Sequence, residues 1–129
     1  MIFCITCSFC LLQNCKNSNE TLALENVKKG QELFNTVGCV NCHSLDNKKL
    51  YGPALKYTMG KQVTVLRDST ELSVTVDRDY IKRAISNPNF EKRIAFKNST
   101  MAKTTLTPLE IDLITEYLIA ASDENALTN

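Results

Sequence analysis

The chain has 129 residues, enough for one domain with a modest core, and its charge is nearly balanced, with 15 lysines and arginines against 14 acidic residues. That balance excludes the broad cationic face that a nucleic-acid backbone requires, so nucleic acid is not an expected partner. Six cysteines and a single histidine are the side chains whose placement asks for an explanation.

Residues 1–15, MIFCITCSFCLLQNC, carry no charge at all. The apolar run from Ile2 to Leu12 is shorter than the roughly 20 residues a membrane-spanning helix needs, yet it matches the core of a secretory leader, with a buried first helix as the alternative. Leu12-Gln13-Asn14-Cys15 resembles a bacterial lipobox, in which the cysteine is acylated and becomes the new N-terminus. Simple cleavage or retention as an uncleaved tether are the other outcomes. Cys4, Cys7, Cys10 and Cys15 superficially match an iron–sulfur run, but the last interval is wrong and a leader cannot hold a cluster. Polar residues 16–22 are expected to form a flexible spacer, and 123–129 a C-terminal tail, with the folded domain over 23–122. Export implies an oxidising compartment, where Cys39 and Cys42 would pair unless another group occupies them.

Leu24, Val27, Leu33, Phe34 and Val37 recur near helical spacing with Glu25, Lys28, Lys29 and Glu32 on the other face, which predicts a helix over 23–36. Gly30 inside it costs about 1 kcal/mol against alanine, which points to close backbone approach by another element, or to a helix that starts there. Asp46-Asn47 and Gly52-Pro53 mark the stretch 44–58 as ordered loop. Val63 and Val65, then Leu72, Val74 and Val76, alternate around Asp68-Ser69, the pattern of a hairpin with strands in 62–68 and 70–76. Asp77 is a suitable N-cap for a helix whose Tyr80, Ile81, Ala84 and Ile85 face inward and which Asn87-Pro88 ends. Residues 89–105 show no regular period. Thr107-Pro108-Leu109-Glu110 is then a capping box with proline at the first helical position, opening a last helix lined by Ile111, Ile114, Tyr117 and Leu118.

The chemistry concentrates in GCVNCHS, residues 38–44, where Cys39 and Cys42 are two residues apart and His43, the only histidine, follows at once. C-x-x-C-H is the attachment pattern of a c-type haem. Two thiols at that separation reach the two vinyl groups of one porphyrin only through a tight turn, and the next residue then points at the iron, for which a neutral imidazole nitrogen is a suitable axial donor. A thioredoxin-type C-x-x-C would need a βαβ setting, whereas a helix precedes this one. Structural zinc needs four ligands, and beyond residue 15 the chain has only these three Cys and His side chains. With one histidine, bis-histidine ligation within the chain is impossible, so the sixth iron position is a methionine, something weaker, or open. Met101, in irregular chain ahead of the last helix, is the favoured ligand; Met59 follows the His43 loop too soon to cross easily, and core filling is the alternative for either.

Taken together, these pieces resemble a class I mono-haem cytochrome c, most closely the cytochrome c domain of bacterial cytochrome c oxidase subunit II. The resemblance spans about 24–121 and rests on Gly30 and Phe34, Cys39-x-x-Cys42-His43, Gly52-Pro53, the hairpin, DRDYIKRAISNP, Met101 and EIDLITEYL, in family order. It implies an all-α fold of three to four helices around one covalent haem c, with a short β-hairpin insertion. It further implies that Gly30 and Phe34 pack against Ile114 and Tyr117, and that the carbonyl of Pro53 accepts a hydrogen bond from the axial histidine. The family often has proline directly after the methionine; Ala102 stands there in this chain.

The implied function is outer-sphere electron transfer, with no substrate and no catalytic residue. Expected partners are redox proteins such as a terminal oxidase or a dehydrogenase, met through a small transient contact, by a monomer or a subunit of a larger complex at the periplasmic face of the cell envelope. Lys48, Lys49, Lys56 and Lys97 are candidates to ring the exposed haem edge, or are ordinary solvated surface. The rival reading is a haem domain with an open sixth site, acting as a gas sensor or a peroxidase-like protein.

Overall fold

The computed structural model describes residues 14–56 and 58–122. The chain folds into helix α1 (Asn14–Thr36), strands β1 (Gln62–Arg67) and β2 (Thr70–Thr75), helix α2 (Arg78–Ser86), a short strand β3 (Lys92–Arg93) and helix α3 (Pro108–Ser122), with single 3-10 turns at Cys39–Asn41 and Ile94–Phe96. The leader expected over 1–15 lies almost wholly outside the described residues, as does the tail over 123–129. No helix among the described residues is long and apolar enough to cross a membrane.

Three of the sequence expectations change. Residues 16–22 are not spacer in conformation: α1 runs back through them to Asn14, because extending a helix already formed costs far less than starting one. The inward face of α1 begins at half-buried Val27, leaving Leu24 60% exposed. The fold is also not purely all-α, since β3 joins the hairpin to make a three-stranded antiparallel sheet in the order β2-β1-β3. Val65 and Leu66 of β1 pair with Arg93 and Lys92. Two residues of strand are too few to give the sequence over 89–105 a period.

The hairpin forms about Asp68-Ser69 as expected, with Gln62 opposite Thr75 through Arg67 opposite Thr70. Its two-residue turn puts Asp68 and Ser69 at φ of 46° and 66°, the double left-handed conformation that matches the twist of the strands. The Asp77 side chain accepts from the Tyr80 N–H at 2.7 Å, capping α2. At the start of α3 the Thr107 N–H donates to Glu110 at 2.7 Å and the Glu110 N–H donates back to Thr107 Oγ1 at 3.3 Å, the reciprocal capping box.

The core forms where α1, α2 and α3 meet the sheet, with Phe34, Val65, Val76 and Ile114 at most 1% exposed. The crossing of α1 over α3 dominates it. A Cβ on Gly30 would lie 2.0 Å from the Leu113 carbonyl oxygen and 2.9 Å from the Tyr117 Cβ, so only glycine lets the two backbones touch. One turn on, the Phe34 and Tyr117 rings pack tilted with centroids 5.6 Å apart.

Candidate functional site

Two residues past the end of α1 comes Gly38, whose φ of 89° is a left-handed conformation that turns the chain sharply. The 3-10 turn that follows is closed by Cys42 N–H and His43 N–H, both donating to the Cys39 carbonyl at 3.1 and 3.0 Å. This tight turn brings both thiols and the imidazole to one cavity of about 320 Å³ with mostly apolar lining, and both cysteines are free.

The chain leaving His43 is tied back by Gly52 N–H to the Cys42 carbonyl and Leu55 N–H to the Ser44 carbonyl, each at 2.9 Å. That return seats the Pro53 carbonyl oxygen 2.8 Å from His43 Nδ1. A carbonyl can only accept, so Nδ1 carries the proton and Nε2 keeps its lone pair for a metal. Gly52 is required beside the ring, since a Cβ there would sit 2.5 Å from His43 Cε1.

Cys39, Cys42, His43, Pro53 and Met101 all line this one cavity. Met59 does not; it packs against the hydrophobic core. None of the lysines expected around the edge lines the cavity either: Lys48 pairs with Asp46 at 2.7 Å and Lys49 lies over the Phe96 ring, while Lys92 and Arg93 are the lining cations.

Two lining residues had no sequence signal. Tyr51, 58% exposed, accepts a hydrogen bond from the Thr100 N–H at 3.3 Å. Glu91 sits in a run of polar residues that looks like surface, but it is 5% exposed because Arg67 at 2.5 Å and Arg83 at 3.2 Å close over its carboxylate. The Glu91 pairs exist only once β1, α2 and the start of β3 are brought together, and the Tyr51 contact only once the loop after His43 meets the segment before Met101.

The donor set suits an iron porphyrin. Burial pushes the Cys39 thiol above its ordinary value, the opposite of the activated thiolate that disulfide exchange requires, and no βαβ unit adjoins the turn. No cluster of three or more His, Cys, Asp or Glu that could hold a metal ion occurs among the described residues, so the three motif side chains have no further partner for a zinc site. Two thiols for thioethers, an imidazole with its tautomer set, and an apolar wall with a thioether side chain on it are what a covalently held haem uses.

The sequence model of the family "Cytochrome c" matches residues 27–122. The chain belongs to the cytochrome c family. Membership implies a covalently bound haem c and associates this cytochrome with haem-based electron transfer, the family's usual work. No curated protein matches it. Among solved structures, a cytochrome c from Rhodothermus marinus is similar in fold, with a TM-score of 0.51 and 24% identity over 77% of this chain and 78% of that one. Gly30 and Phe34 pack against α3 at Leu113 and Tyr117, the helix crossing that the resemblance implied.

Proposed function

We propose that this chain carries single electrons between respiratory redox partners through one haem c ligated by His43 and Met101. The observation that carries the reading is the arrival of Cys39, Cys42, His43 and Met101, from two stretches of sequence almost sixty residues apart, on one apolar cavity. When bound, the haem supplies a one-electron ferric/ferrous couple.

The chain's own residues do the rest. Cys39 and Cys42 are the thiols for the two thioether links, and the 3-10 turn holds them at a fixed separation. His43, oriented by the Pro53 carbonyl, would hold the iron through Nε2, and that hydrogen bond makes the imidazole a stronger donor. Met101, on the wall of the same cavity, would offer its thioether sulfur to the iron, a donor that raises the reduction potential. Phe34, Val76, Ile81 and Leu118 keep water from the cavity and so limit reorganisation as charge changes.

The uncharged segment before Cys15 supports a place at the periplasmic side of the cell envelope, tethered through an acylated Cys15. The order of motifs supports kinship with the haem domain of oxidase subunit II, and with it a terminal oxidase or a dehydrogenase as partner. Contact with such partners belongs to the small, transient class of interface.

The test is production in a cell that matures c-type haem, followed by a pyridine haemochrome spectrum and mass analysis. One covalent haem is expected, with methionine-type far-red absorption in the ferric protein that Met101→Ala abolishes while ferrous carbon monoxide binding increases. Colourless protein with both thiols open to alkylation refutes the haem reading. A coloured Met101→Ala protein with an unchanged spectrum refutes the ligand assignment and favours the open sixth site of a gas sensor or a peroxidase-like protein.

A further inference from the structure

The segment bearing Met101 has no helix or long strand of its own. Between Phe96 and Pro108 it is turn and irregular chain, and Ala102 leaves the residue after the methionine unconstrained. Something else must hold Met101 at the cavity wall.

The side-chain contacts to this segment come largely from one place. Lys49 sits with its Nζ 5.0 Å from the centre of the Phe96 ring, and Tyr51, two residues on, accepts from the Thr100 N–H directly before Met101. Both belong to the short loop between His43 and Pro53, the loop that also orients the imidazole. The intervening Leu50 does not line the cavity, whereas Tyr51, Phe96, Thr100 and Met101 all do. From the other direction Lys92 Nζ donates to the Ser99 carbonyl at 3.1 Å. The chain is thus gripped at 96, 99 and 100, and two of those three grips come from the His43 loop.

We propose that Tyr51, seconded by Lys49, is the positioning residue for the sixth ligand: it ties the His43 loop to the Met101 arm and sets how readily Met101 yields its place to an outside ligand. This rests on the His43/Met101 reading above. An entering ligand displaces Met101 only if the arm swings away, and that motion breaks the Tyr51–Thr100 hydrogen bond and lifts Phe96 from Lys49. Removing the phenolic oxygen therefore favours the displaced state and leaves the chemistry of both axial ligands untouched.

The experiment titrates the ferric holoprotein with imidazole, reading loss of the far-red methionine absorption, for wild type, Tyr51→Phe and Leu50→Ala. A net hydrogen bond of about 0.5–1.5 kcal/mol corresponds to imidazole binding roughly 2- to 10-fold tighter in Tyr51→Phe, with Leu50→Ala unchanged. The far-red absorption itself persists in Tyr51→Phe without imidazole, and hydrogen exchange at the Thr100 amide speeds up. An imidazole affinity equal to wild type in Tyr51→Phe overturns the proposal and leaves the Met101 assignment standing. An equal gain in Leu50→Ala also overturns it, because any loosening of the loop would then serve. Wild-type protein with haem but no far-red absorption overturns the ligand reading and the proposal with it.

Discussion

Gly30→Ala sets two effects of opposite sign against each other. In the interior of α1 alanine is favoured over glycine by about 1 kcal/mol, so helix propensity alone predicts a more stable protein. The structure predicts the reverse. The new Cβ would lie 2.0 Å from the Leu113 carbonyl oxygen and 2.7 Å from its carbon, and both are backbone atoms with no rotamer to change. Relief requires α3 to move away by roughly 1 Å, and a gap of that size forfeits up to about half of each contact's dispersion energy along the seam. That seam contains Phe34 and Ile114, each 1% exposed, and the Phe34–Tyr117 ring pair. Overpacking of this kind costs typically about 1–3 kcal/mol, and backbone against backbone belongs at the upper end. Subtracting the propensity gain leaves a loss of about 2 kcal/mol, or a fall in Tm of about 8 °C for a domain of this size. Urea unfolding of the haem-loaded protein followed by circular dichroism measures it, with the slope m expected unchanged. A Gly30→Ala protein whose urea midpoint equals or exceeds wild type would refute the close-approach argument.

Gly52→Ala places a Cβ 2.5 Å from His43 Cε1 and 2.8 Å from Nδ1, so the ring must turn and lose its bond to Pro53. A loss of about 1–3 kcal/mol in holoprotein stability and a shifted haem spectrum are expected, and wild-type values for both would show the ring to be held by other means. The Glu110 carboxylate accepts from the Thr107 N–H and then from its hydroxyl at 2.8 Å, which together hold its pKa below the ordinary carboxylate value. A pKa lowered by folding means that the stabilisation is complete above the unfolded value and is lost as pH falls through the lowered folded one. The urea midpoint of wild type should therefore exceed that of Glu110→Gln at neutral pH and approach it as pH drops below about 4; a gap that stays constant down to acid pH contradicts the capping role.

Much of this protein could be read locally. The capping box at Thr107 and Glu110, the cap at Asp77 and the turn at Asp68-Ser69 each depend on residues within a few positions of one another, so their hydrogen bonds are implicit in the sequence. The same holds for the Cys39–His43 turn, whose bonds close within five residues. Where propensity was the only guide the reading was less sound: a polar stretch over 16–22 gave no sign that an adjoining helix would extend through it.

What the chain alone determined is therefore its chemistry and its short-range geometry: which side chains could meet an iron porphyrin, and where α2 and α3 begin. What only tertiary structure decided is which distant residues share a wall. Met101 lines the cavity while Met59 packs into the core, Glu91 is buried between Arg67 and Arg83, and Tyr51 reaches Thr100 across 49 positions of sequence. Such contacts leave no period and no local motif, because they exist only once the crossing of α1 on α3 and the pairing of β3 with β1 have brought remote backbone together.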